Sequence, residues 1–274
     1  MRRNILKYLL LMLVIVFSGF KNATDSEPEK RSGKPKNIIL FIGDGMGVSH
    51  LYAGMTISPA PFNLEKFPYS GFSKTYSADS YITDSGAGGT AIACGVKTNN
   101  GMIGVKPDGT PVSSITEIAK RNGLSTGVVS TSAITHATPA SFVAHNIDRG
   151  NYEEIAAGFL NGTIDVFIGG GEDHFRKRKD GEDLTVKLKE QGFDVVFTPD
   201  EMKKSGSNKI AALLAKEHMP KVTDGRQGLL SEMTRKAIET LGRNKKGFVL
   251  MIEGSQIDWG AHENNLEYVA AEMI

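Results

Sequence analysis

Short apolar runs alternate with amphipathic segments along most of the chain. Residues 37–42, 125–131, 164–168, 193–197 and 248–252 have the length and composition of buried strands. Between them, residues 114–121, 152–160, 184–191 and 229–241 carry apolar side chains at helical spacing. Residues 203–222 are more polar and are predicted to form an excursion over the surface. The alternation predicts an α/β sandwich with a largely parallel central sheet and helices on both faces.

The two ends of the chain differ from this pattern. Basic residues Arg2, Arg3 and Lys7 precede an apolar run over residues 8–17, which is typical of a secretory signal. We predict a signal peptide over residues 1–23, a polar linker over 24–36 and a periplasmic or secreted protein. The apolar run is short for a membrane span, although an uncleaved anchor stays open. Residues 266–274 resemble an unfinished helix, so residues 37–274 are expected to be the N-terminal portion of a domain that is incomplete at the C-terminus.

The amino-acid composition limits the classes of protein to which the chain can belong. A hydrophobic fraction of 40% allows a large buried core, and a net charge of +1 gives no sign of a nucleic-acid partner. Cys94 is the only cysteine, which excludes an intramolecular disulfide and favours a small buried apolar role.

The first candidate site residue is Asp44, in a glycine-flanked turn directly after the first strand. Ligands of parallel sheets bind at the carboxyl ends of the strands. The sequence Gly-Asp-Gly-Met-Gly fits neither the dinucleotide fingerprint nor a phosphate-binding P-loop. Asp44 suits a hard cation, and an ordinary turn or helix-cap aspartate is the alternative.

Further candidate ligands follow two other strands. His136 and Thr138 face the same side if the chain there is extended, which favours a metal site; a cap before Pro139 is the alternative for Thr138. Glu253, Asp258 and His262 follow the last strand, and the latter two are one helical turn apart, as ligands of one metal ion require. A charged helix start with a solvated histidine is the competing interpretation.

Ser85 lies in the stretch "TDSGAGGTA", between an acid and a run of glycines. The segment alone leaves open a nucleophile, a phosphate cradle or a flexible turn. Several carboxylates at one sheet edge repel each other, and divalent metal ions are the usual reason that they coexist. Such ions also activate a serine without a histidine base.

Four stretches, "IGDGMG", "TDSGAGGTAIACGVKTNNGMIGV", "THATPASFVAHNIDR" and "EGSQIDWGAH", resemble the alkaline phosphatase family in order and spacing. The resemblance covers nearly all of residues 37–274. It implies the α/β sandwich of that family and hydrolysis of phosphate monoesters through a phosphoserine. It also implies a site with two zinc ions and one magnesium ion.

The resemblance implies a role for each candidate residue. Ser85 corresponds to the nucleophile, and Arg149 to the arginine that clamps two phosphate oxygens. Asp84 is interpreted as a structural or Arg149-orienting neighbour rather than a general base. The implied metal ligands are Asp44, between a zinc and the magnesium; Thr138 and Glu253, on the magnesium; and Asp258 and His262, on the second zinc.

Three departures from the family pattern lead to further expectations. His136 replaces an aspartate near the magnesium, so the third metal site is expected to be less selective for magnesium. Trp259 replaces a lysine or histidine, so product phosphate is expected to be held more weakly. The family takes further zinc ligands from its C-terminal half, beyond Ile274, so the 274-residue chain alone is expected to be inactive or poorly folded.

Two other functions stay open. The first is that of a related hydrolase of the same superfamily, which acts on phosphodiesters or sulfate esters. The second is that of a non-catalytic fragment that only binds phosphate or metal. The phosphate-clamping arginine favours small phosphate monoesters as substrates, with a loosely selected leaving group. The family is commonly dimeric, which leaves a homodimer open.

Overall fold

Six parallel strands form the central sheet of the protein, whose computed structural model describes residues 33–274. The strands are β1 (Ile38–Gly43), β2 (Ser125–Ala133), β3 (Val166–Gly170), β4 (Asp194–Val196), β5 (Ile210–Leu213) and β6 (Phe248–Gly254). They lie in the order β1-β6-β2-β3-β5-β4, and every pairing is parallel. The predicted fold class is confirmed. The predicted signal peptide lies outside the described residues.

Helices connect the strands and cover the sheet. They are α1 (Val48–Ile57), α2 (Ser85–Cys94), α3 (Ile115–Arg121), α4 (Ala137–Ala140), α5 (Tyr152–Gly158), α6 (Glu172–Arg176), α7 (Leu184–Glu190), α8 (Pro199–Lys204), α9 (Leu229–Leu241), α10 (Gln256–His262) and α11 (Leu266–Met273). Short 3-10 turns occupy Asn63–Lys66 and Val222–Asp224. None of the helices in residues 33–274 combines the length and the hydropathy needed to cross a membrane.

Local signals in the sequence explain where α3 begins and ends. Ser114 accepts a hydrogen bond from the Glu117 amide, and the Glu117 carboxylate accepts one from the Ser114 amide. This reciprocal capping box satisfies amides that a helix start otherwise leaves unpaired. Gly123 follows the helix with φ of 78°, the left-handed conformation in which a glycine ends a helix without strain.

The core has two layers, one on each face of the sheet. Val128, Phe167 and Met251 belong to one apolar cluster, whereas their chain neighbours Val129 and Ile168 belong to the other. Successive side chains of a strand point to opposite faces. Burial on both faces explains why these strands are continuous apolar runs rather than alternating patterns.

The prediction that residues 203–222 form a surface excursion is wrong. This segment contains β5, which lies between β3 and β4, and all four of its residues are buried. The apolar stretch Ile-Ala-Ala-Leu is short and has polar flanks, so it has little weight in a sequence pattern. Tertiary pairing with two neighbouring strands places it in the sheet.

β1 is an edge strand with large apolar side chains in solvent. Ile38, Ile39 and Phe41 are 45%, 39% and 61% exposed, respectively. A cavity of about 930 Å³ adjoins this edge and is lined partly by Phe41, Leu230 and Met273. An edge of this kind can accept a further strand.

Candidate active site

The candidate residues meet where β1, β6 and β2 end. These strands are neighbours, and Glu253 of β6 pairs with Ile42 on one side and Ser130 on the other. A cavity of about 880 Å³ opens at this edge. Its lining includes eight residues singled out from the sequence: Asp44, Ser85, His136, Thr138, Arg149, Asp258, Trp259 and His262. Glu253 is fully buried beside Ser130. The fold therefore brings together all the predicted site residues.

Ser85 is the first residue of α2. The side chain of Asp84 caps this helix by accepting a hydrogen bond from the Ala87 amide at 2.8 Å. The Ser85 hydroxyl donates to Asp44 Oδ2 at 3.0 Å. The start of a helix, with its free amides and the positive end of the helix dipole, favours the binding of an anion.

The glycines after Ser85 allow close packing. A Cβ added at Gly89 would lie 2.9 Å from Ser141 Oγ, and one at Gly86 would lie 2.9 Å from the Met102 carbonyl oxygen. The glycine run is therefore part of an ordered helix start, which excludes the flexible-turn interpretation of this segment.

Arg149 is held on two sides. Its Nη1 donates to Asp84 Oδ2 at 2.8 Å, and its Nη2 donates to His136 Nε2 at 3.1 Å. The Asp84 carboxylate also accepts a hydrogen bond from the Gly101 amide at 2.9 Å. Asp84 thus orients the guanidinium, as the sequence suggested. A planar guanidinium fixed in this way suits two oxygens of one phosphate group.

Glu253 is a buried carboxyl with one unsatisfied oxygen. Ser130 donates to Oε2 at 2.6 Å, while Oε1 has no hydrogen-bond partner within the described chain. Burial and then the charge of Asp44 raise the pKa of Glu253 to about 8, against the opposing effect of the Ser130 hydroxyl. Burial and then the charge of Asp258 also raise the pKa of Asp44.

These oxygens fit a hard divalent cation. Asp44, Thr138 and Glu253 offer carboxylate and hydroxyl oxygens, the donor types that magnesium prefers. A bound cation would stabilise the charged form of the two acids, which burial and mutual repulsion disfavour. The unpaired Glu253 oxygen is the clearest sign of such a site.

His136 adjoins this group in a neutral form. It is 8% exposed, and burial followed by the charge of Arg149 lowers its pKa to about 3. Because Arg149 donates to Nε2, the proton of the neutral ring lies on Nδ1, which has no partner among the described residues. The chain from His136 to Thr138 is not extended, since a helix, α4, begins at Ala137, and its N-cap residue is His136 rather than Thr138. The proline in its first turn favours this helix start.

Asp258 and His262 lie one turn apart on α10, with 3.5 Å between Oδ2 and Nε2. They offer two ligands for a zinc ion, fewer than the three of an ordinary catalytic zinc site. The part of the chain that the structure describes contains no group of three or more acidic, cysteine or histidine side chains placed to hold one metal ion. The assigned metal roles therefore stay predictions.

Sequence reasoning missed His218, which packs behind the cavity against His136 and Trp259. It lies in the segment that was interpreted as a surface excursion. The available signal was a histidine shortly after a short apolar stretch, at a strand end like those of the other candidates.

Comparison with known proteins agrees with the resemblance. The sequence profile of the alkaline phosphatase family matches residues 35–274. Alkaline phosphatase 4 of Bacillus subtilis is 40% identical over 95% of this chain and 61% of its own length. The repressible alkaline phosphatase of Saccharomyces cerevisiae is 33% identical over 96% of this chain and 54% of its own length.

Solved structures agree as well. Alkaline phosphatase from the Antarctic bacterium TAB5 is 43% identical, with a TM-score of 0.85 over 88% of this chain and 72% of its own. A variant of that protein, with aspartate in place of a histidine, has been solved with magnesium bound; it is 44% identical, with a TM-score of 0.84 over 87% of this chain and 70% of its own. The chain belongs to the alkaline phosphatase family. It spans 61% and 60% of the length of the two Bacillus subtilis relatives.

Proposed function

We propose that this chain provides the nucleophile, the phosphate-binding arginine and part of the metal site of a phosphomonoesterase. One observation carries the proposal. Ser85 and Arg149 line the same cavity, and each is fixed by its own aspartate, Asp44 and Asp84 respectively.

The residues of this chain support a two-step transfer. Ser85 Oγ forms a bond to phosphorus and loses its proton to solvent, while the bond between phosphorus and the ester oxygen breaks and the leaving alkoxide takes a proton from solvent. Asp44 accepts the hydrogen bond of the Ser85 hydroxyl and so orients Oγ for this attack. Arg149 and the start of α2 stabilise the charge on the other phosphate oxygens. Water then cleaves the phosphoserine and releases inorganic phosphate.

The proposed cofactors are two zinc ions and one magnesium ion. Asp258 and His262 would hold one zinc, and Asp44 with Ser85 would lie beside the other. Asp44, Thr138 and Glu253 would hold the magnesium, with His136 next to it. Bound divalent ions supply Lewis acidity that stabilises negative charge on the serine and leaving oxygens.

His136 bears on the choice of the third metal ion. The related TAB5 variant has aspartate in place of a histidine and has magnesium bound. By analogy, we propose that the imidazole of His136 makes the corresponding site of this chain less selective for magnesium, because nitrogen donors favour transition metals.

Small phosphate monoesters are the proposed substrates, without selection for nucleic acid. The phosphate group and the metal ions dominate recognition, so the leaving group is expected to be loosely selected. A periplasmic or secreted location and a homodimer are parts of the same proposal. Fractionation of expressing cells tests the location, and light scattering of the purified protein tests the dimer.

A non-catalytic phosphate- or metal-binding role is the second candidate. It is favoured by the zinc site, for which Asp258 and His262 of the described residues offer two ligands. In that case the chain binds inorganic phosphate but does not turn over an ester.

The deciding experiment is hydrolysis of p-nitrophenyl phosphate with zinc and magnesium. It is run on this chain and on a version extended beyond Ile274 to the length of the relatives. We expect turnover by the longer version only. Ser85→Ala should abolish this turnover, whereas Ser231→Ala, which changes an exposed serine of α9, should leave it unchanged.

Turnover by the 274-residue chain would show that the metal site needs no further protein ligands. Faster cleavage of bis(p-nitrophenyl) phosphate or p-nitrophenyl sulfate would instead support the diesterase or sulfatase hypothesis.

A further inference from the structure

His218 lies behind the cavity, against two rings that line it. Its ring centroid is 4.6 Å from that of Trp259 and 5.5 Å from that of His136, while the latter two are 5.8 Å apart. The three rings meet edge to face, with interplanar angles of 70°, 88° and 89°. His218 itself does not line the cavity. Its effect on a ligand in the cavity is therefore indirect, through groups that it contacts, among them these two rings.

The His218 ring is anchored on the backbone. The Ala133 amide, at the end of β2, donates to Nδ1 at 3.0 Å. An amide can donate only to an unprotonated nitrogen, so the ring is neutral in this geometry and its proton lies on Nε2. The bond fixes the ring plane relative to the strand end from which His136 follows.

The loop that carries His218 is itself fixed. After β5 the chain crosses the ends of β2 and β3, where the Leu214 amide donates to the Gly169 carbonyl oxygen at 2.7 Å. Gln256 Nε2 donates to the Met219 carbonyl oxygen at 2.7 Å. The backbone of Glu217 approaches Gly170 so closely that a Cβ there would lie 2.0 Å from the carbonyl oxygen. A loop held at these points presents His218 in one position.

The two rings beside His218 lead to the phosphate-binding group. His136 Nε2 accepts from Arg149 Nη2 at 3.1 Å, and Trp259 lies in the cavity wall. If the His136 ring shifts, the Nε2 atom that accepts from Arg149 moves, and one side of the guanidinium is no longer held in place. If Trp259 shifts, the shape of the cavity wall changes.

We propose that His218 is a positioning residue of the phosphate pocket: anchored on Ala133, its ring fixes Trp259 and His136 and, through His136, the Arg149 guanidinium. The proposal rests on the proposed function in one respect only, namely that the ligand of the pocket is phosphate. The orientation of the three rings does not depend on the proposed function.

The test uses His218→Asn, whose side-chain oxygen can keep the bond from the Ala133 amide while the ring is lost. Trp259 is the only tryptophan of the chain, so its fluorescence reports on one ring. The readouts are acrylamide quenching of that fluorescence without ligand, the affinity for inorganic phosphate by calorimetry, and Tm. His145→Asn is the matched control, because His145 also contacts a backbone group through Nδ1 but does not line the cavity.

We expect His218→Asn to increase quenching of Trp259 and to weaken phosphate binding about tenfold, which corresponds to about 1.4 kcal/mol. His218→Phe restores a ring and is expected to recover part of the quenching protection. If His218→Asn changes only Tm, as a purely structural residue would, or matches the wild type in quenching, the proposal is wrong. Absence of phosphate binding in the wild type would contradict the proposed function, while the quenching data would still decide the role of His218.

Discussion

Asp84 accepts a hydrogen bond from Arg149 Nη1 at 2.8 Å, and the other oxygen of the same carboxylate caps the helix that begins at Ser85. One side chain thus sets the position of the helix that begins at Ser85 and of the Arg149 guanidinium. The two functions can be separated by substitution, because asparagine caps a helix about as well as aspartate but carries no charge.

We expect Asp84→Asn to keep most of the stability and to weaken binding of inorganic phosphate. Asp84→Asn removes a charge-assisted hydrogen bond to Arg149, an interaction of about 1.5–3 kcal/mol. Without this bond the guanidinium is no longer fixed in one plane. Removal of the negative charge of Asp84 favours binding of the phosphate anion, but for partly exposed groups this effect is only about 1 kcal/mol or less. Orientation should prevail, and calorimetry should give an affinity about tenfold lower.

Asp183→Asn is the control for this change. Asp183 also caps a helix, α7, but does not line the cavity. It should leave phosphate affinity unchanged. Wild-type affinity in Asp84→Asn would show that Asp84 does not orient Arg149.

Trp259→Lys is expected to retain phosphate more tightly than the wild-type protein. Trp259 lines the cavity and contributes no charge there. A lysine at that position adds a charge-assisted hydrogen bond, for which we expect about a tenfold lower inhibition constant for phosphate. The measurement is product inhibition in the active form of the protein.

Trp259→Met separates charge from packing, since it removes the ring without adding a charge. It should not tighten phosphate binding. Equal inhibition constants for wild type and Trp259→Lys would contradict the expectation that the missing charge matters.

His136 should reduce the selectivity of the third metal site for magnesium. Its imidazole is neutral because burial and Arg149 lower its pKa to about 3, so it brings neither the negative charge nor the oxygen ligands of a carboxylate, which a hard cation prefers. Metal analysis of the purified, extended protein after dialysis against mixed zinc and magnesium measures the selectivity. We expect His136→Asp to increase the magnesium content. Full magnesium occupancy of the wild type in the presence of competing zinc would refute this.

Cys94 should be a poorly reactive thiol. Burial, and then the charge of Glu117, raise its pKa from 9.0 to about 11. At pH 8 the folded protein should therefore contain about one hundredfold less thiolate than the unfolded chain and should react with iodoacetamide correspondingly more slowly.

The same shift gives the sign of a pH effect on stability. The folded state keeps the thiol proton at pH values where the unfolded state loses it. The contribution of Cys94 to the free energy of unfolding is complete below pH 9 and is lost as the pH rises towards about 11. Alkylation of the native protein as fast as of the protein in guanidinium chloride would contradict the burial of Cys94.

The strands in the middle of the sheet could be predicted because they are buried on both faces. Residues 248–252 are apolar without interruption and form most of β6, the strand at the centre of the site. β5 escaped prediction because a four-residue strand between polar segments gains its stability from neighbours that are distant in sequence.

The candidate metal ligands could be selected because they follow strands, but their contacts could not be predicted. The position of Asp44 after β1 was visible, whereas its hydrogen bond to Ser85 joins residues 41 positions apart. The ring contacts of His218 depend on the loop after β5, whose path no local pattern indicates. The sequence left an extended chain and a helix start open at residues 136–138; the chain forms the helix that begins at Ala137, and Pro139 suits its first turn.

The central claim is that Ser85 is the nucleophile of a phosphomonoesterase, and trapping of the phosphoryl-enzyme tests it most directly. Whichever of the two chain lengths hydrolyses p-nitrophenyl phosphate is quenched in acid during turnover and analysed by peptide mass spectrometry. We predict one phosphoryl group on the peptide that contains Ser85, and none in Ser85→Ala, which should also be inactive. Undiminished turnover by Ser85→Ala, a phosphoryl group on another residue, or inactivity of both lengths would contradict the claim.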